Sequence, residues 1–288
     1  MNPDAVPSSA PPADAAVATT DFDRATAITP SEDGWSVDLD PCWSIGGSLN
    51  GGYLLAPMTK AATAATSMPD PLAVTATFVS SPSGGPAEIT VTVVKRGRRT
   101  SVADVVLHQQ GRQHIRATAV LGDLERFDGP NLDVPPPTDP SFEESVSIRD
   151  RAGPNGMTPP EIFRHFDLRL APDVGWLTGL RPGTADAGEA VIEGWSRFAD
   201  RREPDVHSLM VFADAFPPAI LDRFPASWVP TLQFSVYVRA RPEPGWIRGS
   251  FRTRSMVDGL LEEDGEVFDS TGRLVALSRQ LALLLPPA

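Results

Sequence analysis

The chain is poor in the residues that build disulfide frameworks and metal sites. Among its 288 residues it has one cysteine, Cys42, and four histidines. One cysteine excludes an internal disulfide framework and a cysteine-based metal centre, and the histidines lack the spacing of an H-E-x-x-H zinc motif. The sequence also lacks a G-x-S-x-G elbow, a P-loop and a G-x-G-x-x-G fingerprint. We therefore expect neither a metal nor a bound cofactor.

Positive charge is scarce as well. The chain has 25 Lys and Arg against 37 Asp and Glu, a net charge of −12. This balance argues against a nucleic-acid partner, because such binding depends on phosphate neutralisation. No apolar run approaches the roughly 18 residues of a membrane span, so we expect no membrane-spanning segment. The low cysteine content favours a cytoplasmic location.

Two segments rich in proline and aspartate divide the chain. Residues 1–21 lack the basic start and apolar core of a signal peptide, and we predict a disordered tail there. Residues 122–160 include Pro135, Pro136 and Pro137, which cannot join a strand ladder or a helix interior, and we predict a linker. The remaining residues, 22–121 and 161–285, are the predicted domains.

The two predicted domains resemble each other at an offset of 160 residues. The aligned positions are Leu72 and Leu232, Phe78 and Val238, Pro82 and Pro242, and Gly85 and Gly245. Each half reads as a helix, near 51–66 and 208–223, followed by three or four long strands of alternating polarity. A short strand candidate precedes each helix, near 34–40 and 163–171. This α+β pattern predicts a double hotdog, in which two antiparallel sheets, each wrapped around one long helix, join side by side.

Motifs in both halves resemble the acyl-CoA thioesterase II family, the TesB-like double-hotdog enzymes. The first-half motifs are W-x-x-G-G-x-x-N-G-G-Y-L from Trp43, F-V-S-S-P from Phe78 and K-R-G-R-R-T-S from Lys95. The second-half motifs are 211-VFADAFPPAI-220, 230-PTLQFSVYV-238 and 275-VALSRQLAL-283. The resemblance implies hydrolysis of an acyl-CoA thioester to a free fatty acid and CoA, and we expect a homo-oligomer.

Three polar residues of the second half are candidates for catalysis. Asp214 lies in an apolar segment, where a carboxylate costs free energy unless it is hydrogen-bonded. Thr231 follows Pro230 at a predicted strand start, and Gln280 interrupts an apolar strand. Each of the three also has an ordinary structural explanation. The resemblance implies that Asp214 activates a water molecule, which Thr231 and Gln280 hold in place.

Two further groups are candidates for substrate binding. Gly51 and Gly52 begin a predicted helix that Asn50 caps, and free N–H groups at such a start can polarise a thioester carbonyl. Close packing of the helix is the alternative explanation. The basic run of Lys95, Arg96, Arg98 and Arg99 is a candidate for binding the phosphates of CoA, or else a solvated strand edge.

Two other functions stay open from the sequence. One is a double-hotdog hydratase or dehydratase acting on acyl thioesters, in which Asp214 would be paired with a histidine. The first half offers His108 and His114, without an H-x-x-x-G-x-x-x-x-P motif around either residue. The other is a non-catalytic protein that binds acyl-CoA.

Overall fold

The computed structural model describes residues 19–132, 135–150, 159–178, 190–224 and 227–286. Most of the predicted tail and parts of the predicted linker lie outside these ranges. The predicted domain boundaries stay a prediction. Within the described ranges, no helix is both long enough and apolar enough to cross a membrane.

Fourteen of the described strands form one antiparallel sheet, and β3 and β4 form a separate pair. The strands are β1 (Thr29–Ser31), β2 (Gly34–Leu39), β3 (Ser44–Ile45), β4 (Ser48–Leu49), β5 (Asp70–Phe78), β6 (Gly85–Lys95), β7 (Thr100–Gln109), β8 (Arg112–Gly122), β9 (Val146–Ser147), β10 (Phe166–Leu170), β11 (Ala190–Phe198), β12 (Thr231–Val238), β13 (Ile247–Thr253), β14 (Met256–Val257), β15 (Leu260–Phe268) and β16 (Leu274–Leu283). Their order in the sheet is β1-β2-β6-β7-β8-β5-β12-β16-β15-β13-β11-β10-β9, with β14 paired to β15.

One long helix packs against the strands of the first half. The described helices are α1 (Asp21–Ala25), α2 (Gly51–Thr66), α3 (Gly175–Thr178) and α4 (Leu209–Phe212). Helix α2 begins after Asn50, whose side-chain oxygen accepts from the N–H of Tyr53 at 2.8 Å. Strands β5 to β8 pack around it, and side chains such as Leu55 and Ala61 are fully buried. The helix predicted near 51–66 is therefore present.

The prediction of a long helix near 208–223 is wrong. Helix α4 ends at Phe212, a turn follows, and a short 3₁₀ segment covers Ala219–Asp222. The cause is Pro217 and Pro218, which lack an N–H and disfavour helical backbone in the residue before them. Pro218 is extended, with φ −52° and ψ 135°. The second half therefore wraps around short helical pieces, and Asp214 lies in a turn rather than within a helix.

The strands of the two halves follow the 160-residue offset. Strand β7 begins at Thr100 and β15 at Leu260, and Gly85 and Gly245 have similar positive φ angles of 112° and 118°. Strand β11, which the sequence analysis did not predict, occupies in the second half the place that β2 has in the first. Its buried face includes Gly194 and Ser196, so the apolar alternation that marks a strand is weak.

Strands β5 and β12 join the halves into a continuous sheet. Thr75 and Ser235, which the offset equates, are paired in register, and their hydroxyl groups lie 3.0 Å apart. A second link is the guanidinium of Arg241, which donates to both oxygens of buried Asp70 at 3.0 and 3.1 Å. The two halves thus lie side by side in one sheet, where two sheets were predicted.

We expect the Arg241→Gln substitution to lower the free energy of unfolding by about 1–2 kcal/mol, since Asp70 loses its ion pair while Arg241 is only partly buried. Urea unfolding followed by fluorescence measures the loss. The control is Arg116→Gln on β8, where the side chain is exposed, and the expected change is within about 0.5 kcal/mol. Equal stability of the two variants would contradict a role for Asp70–Arg241 in joining the halves.

Candidate active site

Asp214 lies where the second half meets the start of helix α2. Its Oδ2 accepts hydrogen bonds from the side-chain amide of Asn50 and from the N–H of Gly52, each at 2.8 Å. The N–H of Gly51 also bonds to the carboxylate. The amide of Asn50 donates in addition to the backbone oxygen of Asp214 at 2.9 Å. The positive end of a 16-residue helix thus faces a carboxylate.

Glycine is needed where α2 approaches the turn of Asp214. A Cβ on Gly52 would lie 2.2 Å from the backbone oxygen of Met210, and one on Gly51 would lie 2.9 Å from the Phe78 ring. Gly52 therefore allows the helix start to pack closely against the second half, whereas Gly51 allows close packing against Phe78 of the first half and against the Asp214 carboxylate. That these two N–H groups polarise a thioester stays a prediction, and the Gly52 N–H already has Asp214 as its acceptor.

Burial raises the pKa of Asp214 to about 6, against the lowering effect of its bonds with Gly52, Asn50 and Gly51. The residue keeps part of its surface accessible. A carboxylate with this pKa is largely ionised near neutral pH and still basic enough to take a proton from water. The environment of Asp214 therefore suits a general base.

Thr231 and Gln280 lie together on neighbouring strands. The hydroxyl of Thr231, at the start of β12, donates to Oε1 of Gln280 on β16 at 2.8 Å. Gln280 is 6% exposed. In the part of the chain that the structure describes, neither side chain bonds directly to Asp214. Phe78, whose ring packs against Gly51, is the last residue of β5, the strand that pairs with β12.

A second carboxylate, that of buried Glu263 on β15, lies in the same region and was missed by sequence reasoning. Its Oε1 accepts from the Gln280 amide at 2.6 Å, and its Oε2 accepts from the N–H of Ala219. Burial raises the pKa of Glu263 to about 7, and the negative charge of Asp214 adds to the rise. The signal in the sequence was alternation, since Glu263 shares its strand face with Leu261 and Val267.

The basic run lies away from Asp214. All four side chains are exposed on or beside the turn between β6 and β7. Arg96 donates to the backbone oxygens of Ala65 at 2.9 Å and Thr66 at 3.4 Å, at the C-terminal end of α2. A helix of 16 residues is about 24 Å long, so these charges and Asp214 lie at opposite ends of it. Arg96 has a structural role there, as a cation at the negative end of the helix.

The histidines of the first half have other partners. His108 lies 3.4 Å from the hydroxyl of Thr90, and His114 lies 3.0 Å from that of Ser80. Neither contact involves Asp214. The pairing of an aspartate with a first-half histidine, which a dehydratase would need, is absent at this place in the described residues.

Family models for the two domains of acyl-CoA thioesterases match most of the chain. The model of the N-terminal domain matches residues 39–122, and that of the C-terminal domain matches residues 133–284. An uncharacterised protein of Mycobacterium tuberculosis is 30% identical over 261 residues, which cover 86% of this chain and 89% of the relative.

Two solved structures are similar over nearly the whole chain. A protein of Thermobifida fusca, described as a thioesterase II, has a TM-score of 0.81 at 29% identity, covering 93% of this chain and 98% of its own. A hot dog fold protein of unknown function from Alicyclobacillus acidocaldarius has a TM-score of 0.76 at 25% identity, covering 94% and 100%.

We expect the Gly52→Ala substitution to destabilise the protein by about 1–3 kcal/mol, because the added methyl group meets backbone rather than a side chain that can move. It should also separate the helix start from Asp214. The free energy of unfolding measures the first effect. The control is Gly129→Ala, an exposed site where a Cβ meets no atom within 4 Å. Unchanged stability of Gly52→Ala would contradict the described approach.

Proposed function

The chain belongs to the acyl-CoA thioesterase family, and on that premise we propose that it hydrolyses an acyl-CoA thioester to a free fatty acid and CoA. The observation that carries the proposal is the carboxylate of Asp214, half-buried at the start of α2 with its pKa raised to about 6. The polar pair of Thr231 and Gln280 in the same region supports it.

In the proposed reaction Asp214 is the general base. It takes a proton from a water molecule held by Thr231 and Gln280, while the water oxygen bonds to the thioester carbon. The positive end of α2, at Gly51 and Gly52, favours the negative charge that develops on the carbonyl oxygen. The tetrahedral intermediate then breaks its carbon–sulfur bond, and the thiolate of CoA leaves and takes the proton from Asp214.

The basic run remains our proposed partner for the phosphates of CoA. Lys95, Arg96, Arg98 and Arg99 concentrate positive charge on one exposed turn of an acidic chain. CoA is an extended molecule with its phosphates far from its sulfur, so a separation of about one helix length from Asp214 is compatible with such contacts. Assembly as a homo-oligomer and a cytoplasmic location also stay predictions.

We expect Asp214→Asn to lower kcat for acyl-CoA hydrolysis about 100-fold or more, because the amide cannot accept the proton of water. Thr231→Ala and Gln280→Ala should each lose less, and the losses should be non-additive with that of Asp214. In the parent enzyme kcat/KM should fall as the pH drops through about 6, since Asp214 acts when ionised. The measurement is free thiol release from a panel of acyl-CoAs.

Three results would count against this assignment. Release of thiol at the parent rate by Asp214→Asn excludes Asp214 as the base. Binding of acyl-CoA without thiol release by the parent protein favours a non-catalytic binder. Hydration of an enoyl-CoA, seen as loss of the conjugated double bond, favours the hydratase.

We expect Arg96→Ala combined with Arg98→Ala to raise KM severalfold with kcat little changed, because phosphate contacts far from the reacting bond stabilise substrate and transition state equally. Loss of the Arg96 contacts with α2 can also lower stability, so thermal unfolding of the same variant is measured in parallel. The matched control is Arg112→Ala combined with Arg116→Ala, two exposed arginines of β8. A KM equal to that of the parent would overturn the assignment of the basic run.

A further inference from the structure

Glu263, Gln280 and Thr231 form a chain of hydrogen bonds across three strands. Glu263 on β15 and Gln280 on β16 are direct cross-strand partners, and each is 6% exposed. The carboxylate accepts from Nε2 of Gln280 at 2.6 Å, and Oε1 of Gln280 accepts from the Thr231 hydroxyl at 2.8 Å. The other carboxylate oxygen accepts from the N–H of Ala219, so the position of Glu263 is fixed independently.

The direction of these bonds follows from the chemistry of the carboxylate. The two ends of a glutamine amide have nearly the same shape and differ in that the nitrogen donates and the oxygen accepts. An ionised carboxylate only accepts, so it requires Nε2 of Gln280 on its side. Oε1 must then face Thr231, whose hydroxyl proton is used in that bond.

We propose that Glu263 is a positioning residue, which fixes the orientation of the Gln280 amide and, through it, the direction of the Thr231 hydroxyl. The inference rests on the proposed function, in which Thr231 and Gln280 hold the attacking water. With its proton directed to Gln280, the oxygen of Thr231 presents lone pairs and accepts a hydrogen from that water. Asp214 accepts the other hydrogen, and a lone pair of the water is left for the thioester carbon.

The opposite orientation of the amide would disturb this arrangement. If Nε2 of Gln280 faced Thr231, the threonine oxygen would accept that bond and its proton would be free to point at the water. The hydroxyl would then donate to the lone pair that must attack. Glu263 thus acts on the nucleophile through two intervening side chains, without touching it.

Protonation of Glu263 should reverse the orientation. A neutral carboxyl group has an O–H that donates, and Oε1 of Gln280 is an acceptor within reach once the amide turns. The charged groups that act on Glu263 are Asp214, from the turn after α4, and Asp264 on its own strand, which is paired with Arg279. Together with burial they raise the pKa of Glu263 to about 7, against the hydrogen bonds from Ala219 and Gln280. As the pH falls, kcat/KM should therefore decrease in one step near pH 7, where Glu263 is protonated, and in a second step near pH 6, where Asp214 is protonated.

The test is Glu263→Gln, compared with Glu262→Gln, which makes the same charge change on the opposite face of β15. We expect kcat of Glu263→Gln to fall roughly tenfold with KM within about twofold, as for other groups that orient a catalytic residue. The step near pH 7 in kcat/KM should disappear and the step near 6 should remain. Glu262→Gln should keep the parent rate and pH profile. Parent values of kcat and an unchanged pH profile for Glu263→Gln would overturn the proposal.

An NMR measurement separates this inference from the proposed function. The side-chain amide signal of Gln280, assigned by its loss in Gln280→Ala, should be shifted by its bond to the carboxylate and should titrate near pH 7 in the parent protein. It should not titrate there in Glu263→Gln. This readout holds even if the protein hydrolyses no acyl-CoA. Should Glu263→Gln fail to fold, a Gln280 amide that does not titrate near pH 7 in the parent protein overturns the proposal by itself.

Discussion

The bond between the Asp214 carboxylate and the start of helix α2 is the contact on which the candidate site depends. It joins residues more than 160 positions apart, through Asn50 and Gly52. It needs a glycine at position 52, because a Cβ there would overlap the backbone of Met210. It also needs the turn that follows α4, which places Asp214 against the helix. Neither half alone supplies both parts, so the site exists only when the two are joined.

The repeat explains why one chain has one such site. In the strand pairing, the positions equivalent to Thr231, Glu263 and Gln280 are Pro71, Ala103 and Ala119, and Leu54 is equivalent to Asp214 at the offset of 160. All four are apolar, and Leu54 and Ala103 are buried in the first-half core. The first half contains the long helix α2, and the positive end of that helix faces the candidate site. The second half has short helical segments in the equivalent place, and the polar side chains of the candidate site belong to it. The two halves thus share a strand arrangement, and each provides a different part of the candidate site.

Features with a local cause were predictable from the sequence, and features set by partners distant in the chain were not. Helix α2 follows from Asn50 and an alanine-rich stretch, and the strands follow from alternation. The second helix was predicted because apolar residues dominate its segment, but Pro217 and Pro218 prevail over that pattern. Thr231 and Gln280 are hydrogen-bonded to each other, and the prediction that they serve one catalytic site stays a prediction. Glu263 was missed because it lies between Glu262 and Asp264, and acidic residues are rarely buried.

Ionisation of half-buried Asp214 and buried Glu263 lowers the stability of the folded chain. The pKa values of Asp214 and Glu263 are about 6 and 7 in the folded chain, against about 4 in an unfolded one. Between pH 4 and 7 these two groups therefore bind more protons in the folded state than in the unfolded state, and their contribution to the free energy of unfolding falls as the pH rises through this range. The form that can accept a proton from water is the less stable one. The bonds from Asn50, Gly52, Ala219 and Gln280 limit that cost, because each stabilises a carboxylate in its ionised state. The same donors that hold the carboxylates in place thus oppose the rise in their pKa values that burial causes.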